Sequence, residues 1–87
     1  MPHALRTTGL TWEVLDDEIV VLDLDGSMYF RVNGSGRVLW DLLQEPRTHD
    51  ELTEALVAAY GIAAEQAAED AARFIGELQE RGLIEDA

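Results

Sequence analysis

The stretch Glu18-Ile19-Val20-Val21-Leu22-Asp23-Leu24-Asp25-Gly26-Ser27-Met28-Tyr29-Phe30-Arg31-Val32-Asn33 decides how this chain folds. Two arms rich in β-branched and aromatic residues flank an Asp- and Gly-containing break, the pattern of a β-hairpin. A type I turn opened by Asp23, with Gly26 in the left-handed position of a bulge, predicts a three-residue loop. That register pairs Leu22 with Met28 and Val20 with Phe30, so the even-numbered residues share one apolar, buried face. Ile19, Val21, Tyr29 and Arg31 then share the outer face, a half-apolar surface able to dock an enzyme or simply to meet solvent. A two-residue Asp25-Gly26 loop would instead set Val20 and Leu22 beside Tyr29 and Arg31. The three-residue loop is expected because it leaves one clean buried face. The second arm is expected to end a small sheet, and an edge strand carries unpaired backbone groups that a partner can use.

Working outward, Leu10-Thr11-Trp12-Glu13-Val14-Leu15 alternates as a first strand should, with Leu10, Trp12 and Val14 on one side and a turn at Asp16-Asp17. Residues Met1 to Gly9 read as a flexible N-terminal arm, and residues 10–87 as one domain. After the hairpin, Asn33 or Ser35 is placed to cap a short helix carrying Val38, Leu39, Leu42 and Leu43, with Trp40 on a flank. Thr48-His49-Asp50-Glu51 is a capping box opening a second helix, with Leu52, Ala55, Leu56, Ala59 and Tyr60 at helical spacing and Gly61 at its end. A third, longer helix is predicted from about Ala64 to Arg81. Its stripe is Ala67, Ala71, Phe74 and Leu78, widened by Ala68, Ala72 and Ile75 and bordered by Asp70, Glu77 and Arg73. Leu83-Ile84 should fold back onto the core. The expectation is an α+β domain: a three-stranded antiparallel β-meander followed by three helices, winged-helix-like in order. The third helix, shallow because of its alanines, would line a groove beside the edge strand.

Composition narrows the function. With 47% hydrophobic and 28% charged residues the chain reads as globular rather than disordered. No apolar run approaches the roughly 18 residues a membrane span needs, and the first residues lack a signal-peptide core. There is no cysteine, which excludes disulfide and thiolate chemistry and makes a cytoplasmic setting the expectation. Eighteen Asp and Glu stand against six Arg and no Lys, a net charge of −12 that would repel phosphate backbones. A nucleic-acid-binding winged helix is therefore disfavoured: its third helix would present Arg73 and Arg81 among Glu65, Glu69, Asp70, Glu77 and Glu80. A carrier protein would need an Asp-Ser-Leu type attachment serine, which Ser35 does not provide. His3 and His49 have no second ligand at metal-binding spacing, and Gly34-Ser35-Gly36 has no base placed to activate a nucleophile. No enzyme, metal or cofactor is expected. What the residues favour is a peptide-binding module working by β-augmentation.

Tyr29-Phe30-Arg31-Val32-Asn33 running into Val38-Leu39-Trp40-Asp41-Leu42-Leu43 resembles the strand-to-helix signature of PqqD-like proteins. Arg47-Thr48, Glu51-Leu52, Leu56, Tyr60-Gly61, Asp70, Phe74, Leu78 and Gly82-Leu83 fall at that family's spacing, so the resemblance runs from about Leu10 to Ile84. Val32 stands where leucine is usual, and Ala63 where an aspartate often caps the third helix. The resemblance implies a recognition element for ribosomally made, post-translationally modified peptides. Such a domain holds the leader of a precursor peptide as an antiparallel strand on Met28, Tyr29, Phe30, Arg31 and Val32. The leader would lie against Ala67, Asp70, Ala71, Phe74 and Glu77, with Arg73 at the rim. Phe30 and Phe74 would double as core residues. The resemblance further implies a lasso-peptide setting, with a separate leader peptidase and a macrolactam cyclase as partners and a leader offering Tyr and Pro to the apolar pocket. The alternative is pyrroloquinoline quinone synthesis, where such a domain brings its precursor to a radical enzyme.

Overall fold

The computed structural model describes residues 2–6 and 8–86. Five strands, β1 (His3–Leu5), β2 (Leu10–Leu15), β3 (Glu18–Asp23), β4 (Met28–Asn33) and β5 (Ile84–Asp86), surround three helices. These are α1 (Ser35–Leu42), α2 (His49–Tyr60) and α3 (Ala64–Glu80), all between β4 and β5. The expected α+β meander with three helices is present: β2, β3 and β4 pair antiparallel in that order, leaving one edge of β4 open. The core draws Ile19, Val21 and Val32 from the sheet, Leu39, Trp40 and Leu43 from α1 and its end, and Leu52 and Leu56 from α2. Ala67, Ala71, Ile75 and Leu78 of α3 and the flanking Leu5 and Leu83 complete it. Among the described residues no helix is long and apolar enough to cross a membrane.

The hairpin register differs from the expected one. Asp23 pairs with Met28, Leu22 with Tyr29, Val21 with Phe30, Val20 with Arg31 and Ile19 with Val32. The loop is therefore four residues, Leu24 to Ser27, and its pairing parity is that of the two-residue alternative. Ile19 and Val21 are buried in the core, whereas Leu22 and Tyr29 are 44% and 65% exposed on the outer face. Ser27, at φ 54°, takes the left-handed position that was expected of Gly26. The cause is Asp23. Its carboxylate accepts the amides of Asp25 and Gly26 at 3.2 and 3.1 Å and a guanidinium hydrogen bond from Arg6 at 2.5 Å. A polar residue at the end of the inner face is thus satisfied, and the turn is built on it.

The N-terminal segment is also ordered differently. Where a flexible arm was expected over residues 1–9, of which positions 1 and 7 lie outside the described residues, β1 pairs antiparallel with β5, and the backbone of His3 exchanges two hydrogen bonds with Arg47. Arg6 then donates to Asp23, to the carbonyl of Gly82 and to the carbonyl of Thr8, tying the two chain ends to the hairpin turn. The first helix is capped by neither Asn33 nor Ser35. Gly34 is the N-cap at φ 57° and ψ −139°, a region open essentially to glycine, and Ser35 is already helical. Trp40 is not on a flank: it is fully buried and meets Trp12 edge to face, ring centroids 5.4 Å apart.

Other expectations hold. The Thr48–Glu51 capping box closes as drawn, with Thr48 Oγ1 accepting the Glu51 amide and the Glu51 carboxylate accepting that of Thr48. Those bonds, first the one from the Thr48 backbone, hold the Glu51 carboxyl below its ordinary pKa. Gly61 ends α2 in the left-handed conformation at φ 64°, and Leu83 folds back into the core. Helix α3 begins at Ala64 without a side-chain cap from Ala63.

Candidate functional site

The β4 edge and α3 enclose a cleft of about 450 Å³ lined by Phe30, Arg31, Val32, Asn33, Ser35, Gly36, Asp70, Arg73, Phe74 and Glu77. Strand β4 supplies one wall because β3 covers only its other side. Alternate residues of an edge strand send their N–H and C=O groups away from the paired neighbour, so this wall carries main-chain donors and acceptors without partners in the sheet. Helix α3 supplies the other wall, and the first turn of α1 closes the end. Phe74 and Phe30, both half-buried and packed against the core, give the cleft an aromatic floor.

The rim is charged. Asp70, with a side chain 21% exposed, accepts hydrogen bonds from Gln66 at 2.9 Å and from Arg73 at 3.3 Å, while Arg73 is 65% exposed. At the far end the Arg81 guanidinium lies 4.4 Å from the centroid of the Phe30 ring, a cation–π contact. Arg31 is drawn to the outer face by its ion pair with Glu18. Among the described residues no cluster of His, Asp and Glu is arranged to hold a metal ion.

Of the residues read from the sequence, Phe30, Arg31, Val32, Asp70, Arg73, Phe74 and Glu77 come together in this cleft. Met28 and Tyr29 do not line it. They offer backbone at the β4 edge, while their side chains border a separate small pocket with Leu22 and Leu24. Ala67 and Ala71 are fully buried and contribute nothing to the lining. Both belong to the core rather than to a shallow groove, and Ala72 is exposed instead of extending the stripe. The sequence reading missed Asn33, Ser35 and Gly36 as lining residues and Arg81 at the far end. The signal for Gly36 was present, since a glycine in the first turn of a helix asks for a reason.

The architecture recurs in solved structures. The chain superposes with a TM-score of 0.85 on TbiB1 in complex with the TbiA(beta) leader peptide, at 26% identity, covering 97% of this chain and 96% of that one. It superposes with a TM-score of 0.82 on lasso peptide synthetase B1 complexed with the leader peptide, at 20% identity, covering 95% and 96%. The second likeness is one of fold alone. No curated protein matches the chain. The family model described as coenzyme PQQ synthesis protein D (PqqD) matches residues 18–84, from the start of β3 through α3 to the first residue of β5. This span contains the open strand, the cleft and its floor, and the chain belongs to the PqqD family.

Proposed function

We propose that this protein is a non-catalytic recognition element that binds the leader segment of a ribosomally synthesised precursor peptide. The leader adds as an antiparallel strand to the open edge of β4 and lies in the cleft against α3. Main-chain hydrogen bonds provide affinity, and the Phe30–Phe74 floor and the Asp70–Arg73 rim read side chains. The observation that carries this reading is the juxtaposition of an unpaired strand edge with a cleft whose floor is aromatic and whose rim is charged. The likeness to TbiB1, whose structure holds a leader peptide, supports it.

The bound leader would be presented to a separate leader peptidase and macrolactam cyclase in lasso-peptide maturation. A second reading, delivery of a precursor to a radical enzyme in pyrroloquinoline quinone synthesis, is favoured by the description of the family model. The near end-to-end likeness to TbiB1 bound to a leader peptide, together with the shared fold of lasso peptide synthetase B1, supports the first. Nucleic acid is disfavoured by the charge of −12.

Titration of the labelled protein with the synthetic leader of the precursor encoded beside it, followed by backbone amide NMR, tests the reading. Shifts concentrated on Met28 to Val32, Ser35, Gly36 and Asp70 to Glu77 are expected. Shifts confined to the outer sheet face, or none, would overturn it. The leader type that binds, lasso or pyrroloquinoline quinone precursor, separates the two settings.

A further inference from the structure

Gly36 sits in the first turn of α1 and has no backbone reason to be glycine. Its φ is not among the positive values, which belong to Gly9, Gly34, Gly61 and Gly82. Inside a helix glycine is less favourable than alanine. Space accounts for it instead. A Cβ at this position would lie 3.0 Å from Val32 Cγ1, and 3.0 and 3.4 Å from Cε1 and Cδ1 of Phe74. Carbon atoms in good contact stand about 3.5–4.0 Å apart. Val32 is 2% exposed and held by the core, so it cannot give way. Phe74 is only half-buried, and its open side is the cleft. A methyl at position 36 would therefore push the Phe74 ring a few tenths of an ångström toward the cleft, while its close contact with Val32 remains.

We infer that Gly36 is a specificity-determining residue of the cleft: it lets the Phe74 ring lie against the α1 backbone, and so keeps the slot deep enough for a large apolar side chain of the bound peptide. The inference rests on the leader-binding reading above. Its chemistry follows from the half-buried rings of Phe30 and Phe74, the accessible apolar side chains of a cleft otherwise lined mostly by polar groups, with Val32 buried beneath them. A deep apolar slot rewards a large apolar group, and a shallow one does not. Gly36 acts through Phe74, so it is a positioning residue whose effect must appear as a change in side-chain preference.

The test is the affinity of the synthetic leader and of its alanine-scan variants for the wild type, Gly36→Ala, Phe74→Leu and the double variant. Gly36→Ala is expected to bind the leader about tenfold more weakly. At one large apolar leader residue, alanine replacement should weaken the wild type and leave Gly36→Ala unaffected. Adding Phe74→Leu, which removes the ring atom that the new methyl meets, should restore the part of the loss that acts through Phe74, the contact with Val32 being left in place. Phe74→Leu alone, which keeps Gly36, should shift the preference at that leader position toward larger residues. Wild-type affinity and scan profile in Gly36→Ala would overturn the role of Gly36 while leaving leader binding in place. A loss spread evenly over the scan, or an unchanged preference in Phe74→Leu, would overturn it too. A wild type that binds no leader would remove the leader-binding reading and this inference with it.

Discussion

Methylating the leader backbone one amide at a time should weaken binding at every second residue. Strand β4 has six residues, each paired with β3 on one side, and the other side is open. Alternation leaves half of these six, three residues, with N–H and C=O directed outward, so an added antiparallel strand can make about six main-chain hydrogen bonds. Half of them would be donated by the peptide. Losing one such bond is worth about 1 kcal/mol, or about fivefold in affinity. The methyl must also fit between strands about 4.8 Å apart, which raises the expected loss to tenfold or more. The intervening amides point away from β4, and methylating them should change affinity by about twofold or less. Fluorescence anisotropy with a labelled leader and its single N-methyl variants measures this directly. Sensitivity that is uniform along the leader, or that repeats every three to four residues as in a bound helix, would refute strand addition. Proline at the sensitive positions should abolish binding, since it removes the donor and adds bulk.

Charge reversal at the rim, Asp70→Arg or Arg73→Glu, should weaken leader binding by up to about fivefold, the range of an exposed ion pair. The melting temperature should stay close to that of the wild type, and unchanged binding would remove these residues from the site. Asp23 tests the hairpin clamp. The Arg6 guanidinium bonded to it, followed by the Gly26 amide, holds its carboxyl below the ordinary carboxylate range against the opposing effect of burial. A carboxyl whose folded pKa lies below its unfolded value of about 3.9 contributes stability above that pH and loses it as pH falls through the folded pKa. The melting temperature of the wild type should therefore fall more steeply below about pH 4 than that of Asp23→Asn. Parallel acid limbs would contradict the clamp. Thr48→Ala removes the cap of α2 and should cost about 1 kcal/mol, a fall of about 4–8 °C in a domain of this size. Leader affinity, measured well below the melting point, should be unaffected.

Much was written locally. The capping box at Thr48 and Glu51, the stop at Gly61 and the turn at Asp16-Asp17 follow from side chains and backbone preferences a few residues apart, and all three form where the sequence places them. The third helix likewise follows from its period, and its face toward β4 brings Asp70, Phe74 and Glu77 into one cleft. The hairpin register was not local. Ile19-Val20-Val21-Leu22 is apolar on both faces, so alternation alone does not say which one is buried. The choice falls to Arg6, which reaches Asp23 from 17 residues away and makes an acidic side chain affordable on the inner face. The ordering of the N-terminal segment has the same origin, because β1 exists only where β5 and Arg47 lie beside it. Ala67 and Ala71 read as groove because a helical wheel reports a face but not its neighbour, and in the fold that part of the face is buried in the core. The sequence by itself determined the three strands of the meander, the three helices, their order and the charge that disfavours polyanions, since these depend on near neighbours and on sums. Only the tertiary structure decided which face of β3 is inside, which glycine caps α1 and which makes room for Phe74, since each of these is settled by contacts with residues elsewhere in the fold or by a backbone angle that only the folded chain reveals.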